Sequence, residues 1–283
     1  MTVHEITVRG ITKPRRASDP LMTTLIVACS LLIVLAIVGP FVSPYSPDAT
    51  DVLSADQTPS LAHLLGTDSL GRDVFSRLLT GARLTFSAAF FITSISAVLG
   101  TFVALFAAWH GGWVDGLISR TLNVLFAIPG ILIALLAVAV FGKGFGPPVF
   151  ALTIVYVPYL ARVVRGAAIQ QRKRAYVEAA DLAGLGAWRI NIFHILRNVV
   201  PLVLAQSTFS LASALVDFGA ISFLGLGVQA PQSEWGLMVA EGRSDLLSGY
   251  PQVSVSAGVM IVLSVVAFNL LGERISNRMA VNR

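Results

Sequence analysis

Long stretches without a charged residue constrain this chain more than any motif does. No Asp, Glu, Lys or Arg occurs within 21–42, 84–109, 121–142, 144–161 or 246–272, and 198–233 is interrupted only by Asp217. A helix crossing about 30 Å of hydrocarbon needs about 20 apolar residues at about 1.5 Å each. Lipid cannot hydrogen-bond an open backbone, so runs of this length read as spanning helices. The expectation is an all-α membrane protein with six transmembrane helices. Only 12% of the 283 residues are charged, against about 25% in soluble domains. That is too few to coat a soluble catalytic domain. The net charge of +5 sits in short segments between the runs, so it speaks of membrane topology rather than of nucleic-acid binding.

The boundaries follow from breakers and charge. Lys143 lies in a Gly-Lys-Gly-Phe-Gly-Pro-Pro turn that separates the third and fourth runs, and such clusters stop helices. Pro251 marks the start of the last helix. Pro129, Pro158 and Pro201 fall inside spans and predict bends. With the N-terminus cytoplasmic, the inner segments 1–20, 110–120, 162–198 and 273–283 hold 15 of the 20 lysines and arginines. The positive-inside rule therefore predicts that both termini are cytoplasmic. The first run is too long for a signal-peptide core and no small-x-small cleavage site follows it, so 21–42 reads as an uncleaved first transmembrane helix. An extracytoplasmic loop, 43–83, leads to a core, 84–272, with five further spans and the long inner loop 162–198. The outer loops carry eight acids, Asp48, Asp51, Asp56, Asp68, Asp73, Glu234, Glu241 and Asp245. They read either as a rim facing a partner or as ordinary solvated loop, with tight turns and Asp-capped helix starts expected near Asp68 and Asp73.

Signatures of catalysis are missing from the sequence. It has no Gly-x-x-x-x-Gly-Lys-Ser/Thr loop, no His-Glu-x-x-His and no Gly-x-Ser-x-Gly. Four histidines are scattered over separate segments, and the single cysteine, Cys29, has no ligand spacing. No catalytic, cofactor or metal residues are expected. Asp217 is the one acid in the body of a span; a charge there costs about 2.5–3.5 kcal/mol on insertion scales. It is a candidate pathway residue, or a helix-end group with a local hydrogen-bond partner. A secondary transporter would need more such groups and internal repeats, and no repeat is visible.

The inner loop 162–198 begins with Arg162, Arg165, Arg172, Lys173 and Arg174, then reads as two short helices joined near Gly184–Gly186. Glu178, Ala179, Ala180 and Gly184 pair an acid with small residues on an exposed helix, which suits either a plain amphipathic loop or docking of a cytoplasmic partner. With Ile195 and Leu196, this segment resembles the EAA motif of ABC importer permeases. The block from Leu65 to Arg77 (Leu-Gly-Thr-Asp-Ser-Leu-Gly-Arg-Asp-Val-Phe-Ser-Arg) is similar to the oligopeptide/dipeptide/nickel subgroup. So are Leu224-Gly225-Leu226-Gly227-Val228-Gln229, with Pro231 and Trp235-Gly236, and Asn269-Leu270-Leu271-Gly272.

The resemblance implies a type I ABC importer permease of the second, "C-type" kind found in dipeptide importers, in a bacterial cytoplasmic membrane. It implies a heterodimer with a second permease subunit, two ATP-binding subunits that hold ATP and Mg, and an extracytoplasmic substrate-binding protein, with no nucleic acid. Glu178, Ala179, Ala180, Gly184, Ile195 and Leu196 would then lie at the ATPase contact, and Asp68, Asp73, Asp217 and Trp235 at the outer mouth or pathway. Two positions depart from the family pattern. Arg197 stands where a proline is usual, and Phe218 stands where a glutamate is usual, with Asp217 beside it.

Overall fold

The computed structural model describes residues 20–281, with side chains as far as Arg278. The N-terminal segment assigned above to the cytoplasm, apart from Pro20, lies outside the described residues, as do the last two residues of the tail. The order is α1 (Pro20–Val42), α2 (Val74–His110), α3 (Gly112–Ala127), α4 (Gly130–Phe141), α5 (Gly146–Arg172), α6 (Ala175–Leu182), α7 (Ala187–Ile190), a π-helical turn (Asn191–Leu196), α8 (Arg197–Phe223), α9 (Trp235–Glu241), α10 (Arg243–Leu247) and α11 (Gln252–Val281). No strand occurs among the described residues. Five helices are long and apolar enough to cross a membrane, taking Ala187–Phe223 as one, and the bent pair α3–α4 makes a sixth.

In the third span, over 121–142, the bend expected at Pro129 is a full break between two helices. The chain turns by 80° between α3 and α4. Ile128 is extended at φ −85° and ψ 124°, as a residue before proline tends to be. Pro129 has no N–H to continue the ladder. By contrast, α5 and α8 run on through Pro158 and Pro201. The second span also begins earlier than its apolar run: Asp73 accepts from the Ser76 N–H at 2.7 Å and starts α2 at Val74. Hydropathy marks the hydrocarbon zone, whereas caps mark the helix, and α2 outruns the zone. The inner loop shortens for the same reason, since α5 continues to Arg172 and α7 starts at Ala187. The last helix starts directly after Pro251, as expected.

Around α2 the bundle closes: α5 and α8 pack along it, α1 lies on its outer side, and α11 packs on α8 and α9. Ala88, Ala89, Ile92, Leu152, Leu215 and Phe218 fill the space between α2, α5 and α8. After α8 the chain stops on Gly225 at φ +72°, with Leu226 N–H returning to the Ile221 carbonyl. It then folds back so that the short helix α9 lies against α8. A Cβ at Gly236 would sit 2.4 Å from the Gly219 carbonyl oxygen and 2.6 Å from Gly219 Cα. Both contacts are backbone, so no side chain can yield. Gly236→Val is expected to pry α9 from α8 at about 1–3 kcal/mol, with Gly236→Ala milder. An unchanged thermal midpoint for the purified Val variant would refute this contact.

Candidate functional site

Functional groups gather at the two ends of the bundle and along one seam between them. At the first end, the turn 68–73 feeds α2. Asp68 accepts from the backbone of Leu70 and Arg72, at 3.0 and 2.9 Å. Its other oxygen receives Arg72 Nε at 2.6 Å and Arg77 Nη1 at 2.7 Å. Both guanidinium groups also reach Glu241 at the end of α9, Arg77 at 2.7 Å and Arg72 at 3.2 Å. Two cations and two anions thus close a ring between the α2 start and α9, and Arg77 is fully buried in it. Asp73 caps α2 and also contacts His63 Nδ1 at 2.9 Å.

Glu234 caps α9 through the N–H groups of Gly236 and Leu237, and accepts from the Thr85 hydroxyl at 2.8 Å. Burial pushes its carboxyl above the ordinary carboxylate range, against the pull of those donors. Trp235 is wholly buried, and its indole N–H donates to the Leu78 carbonyl at 2.9 Å. Asp68, Asp73, Glu234 and Asp245 are buried, and the first three, with Trp235, fasten elements together. Such pairing takes charges out of water only where partners are ready.

At the other end, Arg172 donates to the carbonyls of Ala108 and Trp109 and lies over the Trp109 ring. This ties the end of α5 to the end of α2, and α6 and α7 hang beneath. Val177 and Ala180 face inward with Ile190 and Ile195, against Ala104, Val164 and Ala168. Glu178, in the first turn of α6, and Ala179 face outward. Leu182 and Trp188 are also outward, Leu182 at 85% exposure. Of the sequence candidates, Glu178, Ala179 and Gly184 present surface, whereas Ala180 and Ile195 are buried supports and Leu196 is half-buried. Sequence reading passed over Leu182 and Trp188, for which the available signal was large apolar residues flanking a glycine stop.

Gly184 has a local reason to be glycine. Leu185 N–H bonds to the Ala180 carbonyl, and Gly184 N–H to that of Asp181, a Schellman stop whose turning residue needs positive φ. Gly184 has φ +76° and open space around it. Gly184→Ala is expected to cost about 1–2 kcal/mol of local helix-end stability, and Gly184→Asn less. Faster amide exchange at Ala183–Leu185 in the alanine variant is the readout, and equal exchange in both variants would sink the assignment. Arg197 does not open a new helix: helical structure is continuous from Ala187 through the π turn into α8.

Between the ends, Tyr156 of α5 donates to Asp217 of α8 at 2.8 Å. Further along, Tyr159 donates to Gln206 at 3.2 Å. Asp217 is exposed on the surface of the chain while Phe218 is fully buried. One residue turns a helix by about 100°, which is why the two cannot share a role.

The fold has known counterparts. Residues 96–281 match the family described as binding-protein-dependent transport system inner membrane component. The chain belongs to this family. The glutathione transport system permease protein GsiD of Pectobacterium atrosepticum is 39% identical over 246 residues, covering 86% of this chain and 81% of that protein. Its Shigella boydii counterpart is 40% identical over the same length, with 86% and 80% covered. A native crystal form of the inward-facing MetNI methionine ABC transporter shares the fold, with TM-score 0.58, 20% identity and coverage of 71% of this chain and 95% of that one. An amino acid ABC transporter crystallised with histidines also shares it, at TM-score 0.52, 18% identity, and 71% and 94% coverage. The chain is thus a multi-pass inner-membrane permease subunit of an ABC importer, a transport component rather than an enzyme. Membership of this family implies partnership with an ATPase and a substrate-binding protein.

Proposed function

We propose that the chain is one half of a heterodimeric permease for peptide-like solutes, dipeptides or oligopeptides, and that it takes force from two separate ATP-binding subunits through α6. The observation that carries this reading is the outward face of Glu178, Ala179 and Leu182 on a short helix held by the bundle but left uncovered by the other described residues. The relatives named for glutathione support a peptide-like solute, since glutathione is itself a tripeptide. ATP and Mg reside on the partner subunits in this reading.

The α6 end faces the cytoplasm, where most of the basic residues lie in the topology set by positive charge. The Asp68–Arg77–Glu241 end then faces outward and holds the mouth in shape beneath the binding protein. Closing of the ATPases displaces α6, and because the α7–α8 helix is continuous, displacement reaches the membrane core as helix movement. ATP drives transport only so far as it binds the two states of the assembly with different free energy. Glu178→Arg and Leu182→Asp, each with membrane insertion checked, test the coupling. Uptake and substrate-stimulated ATP hydrolysis by the reconstituted complex should both collapse.

A further inference from the structure

A carboxylate on the outer surface of a spanning helix needs a reason. Asp217 lies six residues before the end of α8 at Phe223, or about 9 Å along the helix axis. It is exposed on the surface of the chain rather than turned into the core. Lipid does not accommodate an exposed acid, so such a residue faces water or a protein partner.

Its neighbours discriminate between these. Gln206, Ser213 and Asp217 are spaced seven and four apart on α8, which places them on one face. On α5, Tyr156 and Tyr159 meet that face, at 2.8 Å from Asp217 and 3.2 Å from Gln206. Hydrogen-bonding groups therefore run roughly 16 Å along the seam. A single ion pair with a second permease would need a polar group at one depth only. A polar seam over this length matches a surface that water and solute travel along.

The Tyr156 hydroxyl fixes one carboxylate oxygen, and a carboxylate accepts at two, so capacity for a cation remains. Resting on the reading of this chain as half of a solute pathway, we infer that the seam lines that pathway and that Asp217 is the passing acceptor for a primary ammonium group on the solute. This places a charge requirement on the cargo within the membrane domain. A zwitterionic peptide satisfies it with its free amino terminus.

The test uses the whole reconstituted complex with Cys29→Ala, which removes this chain's one native thiol, and Ser213→Cys, with the same complex lacking Ser213→Cys as the background for any thiols of the other subunits. Two membrane-impermeant methanethiosulfonates, one a quaternary ammonium and one a sulfonate, are applied to proteoliposomes. The cationic-to-anionic rate ratio should exceed that of a free small thiol in water by about 10-fold. Adding Asp217→Asn should remove most of that preference, and Asp217→Glu should keep it. A thiol inert to both reagents would place the seam against lipid or the second permease and overturn the inference. A ratio equal to that of the free thiol and unmoved by Asp217→Asn would overturn the ammonium contact. Failure of the importer reading has a separate signature, a wild-type complex that assembles no ATPase or hydrolyses no ATP in response to solute.

Discussion

Replacing Arg77 by leucine should destabilise the protein more than any other single change at the 68–77 end. Arg77 has no exposed side-chain surface and donates to Asp68 and Glu241, both at 2.7 Å. It also approaches Ser233 at 3.3 Å. Leucine fills part of the space but leaves two carboxylates sharing the one remaining guanidinium, Arg72. Removing one partner of a buried ion pair costs about 3–5 kcal/mol, because the other charge stays desolvated. For a chain of this size that is a fall on the order of 10 °C in the melting midpoint of the detergent-purified protein. Arg77→Lys should fall between, since an ammonium keeps the charge but cannot form two bonds in a planar fork. The pair Asp68 and Glu241 is brought together from sequence positions far apart, so loss of Arg77 should also free α9. Melting of Arg77→Leu at the wild-type temperature would show that the ring is ornamental.

The second large effect concerns function and leaves the fold in place. Glu178 is exposed in the first turn of α6, where an acid gains about 0.3–1 kcal/mol from the helix dipole. Glu178→Arg reverses that small term, so insertion and folding should survive. Leu182 is exposed, and Leu182→Asp removes no packing inside the chain. If α6 is the element that a partner grips, an apolar anchor there is worth about 2 kcal/mol or more, at least about 30-fold in affinity. Uptake should drop about 100-fold when the reversed charge meets a surface shaped for an acid. Co-purification of the ATP-binding subunits should weaken in parallel for Leu182→Asp. Wild-type uptake and ATP hydrolysis in both Glu178→Arg and Leu182→Asp would remove α6 from the coupling role.

Much of the architecture was legible before the structure. The uncharged runs place five spans, and the two short helices around Gly184 follow from residues within one loop. The Asp73 cap was legible too, because its partner, Ser76, is three residues away. Helix ends were less legible: α2 begins ten residues before its apolar run because capping and ion pairing, not hydropathy, decide where a helix starts. The break at Pro129 was visible as a proline. Its 80° angle was not, since Pro158 and Pro201 leave their helices continuous.

The acids of 43–83 and 228–250 show the limit most clearly. As a list, Asp68, Asp73, Glu234 and Asp245 do not differ from the other loop acids, and the fold buries all four. The sequence by itself determined that this chain lives in lipid, how many times it can cross, and where two short helices meet at Gly184, because hydropathy, charge bias and local turn chemistry act within a few residues. Only the tertiary structure decided that Arg77 meets Glu241, that Tyr156 meets Asp217, and that Asp217 points outward while Phe218 points in. Those facts depend on how helices rotate about their axes when packed, and a rotation is set by neighbours that are distant in the chain.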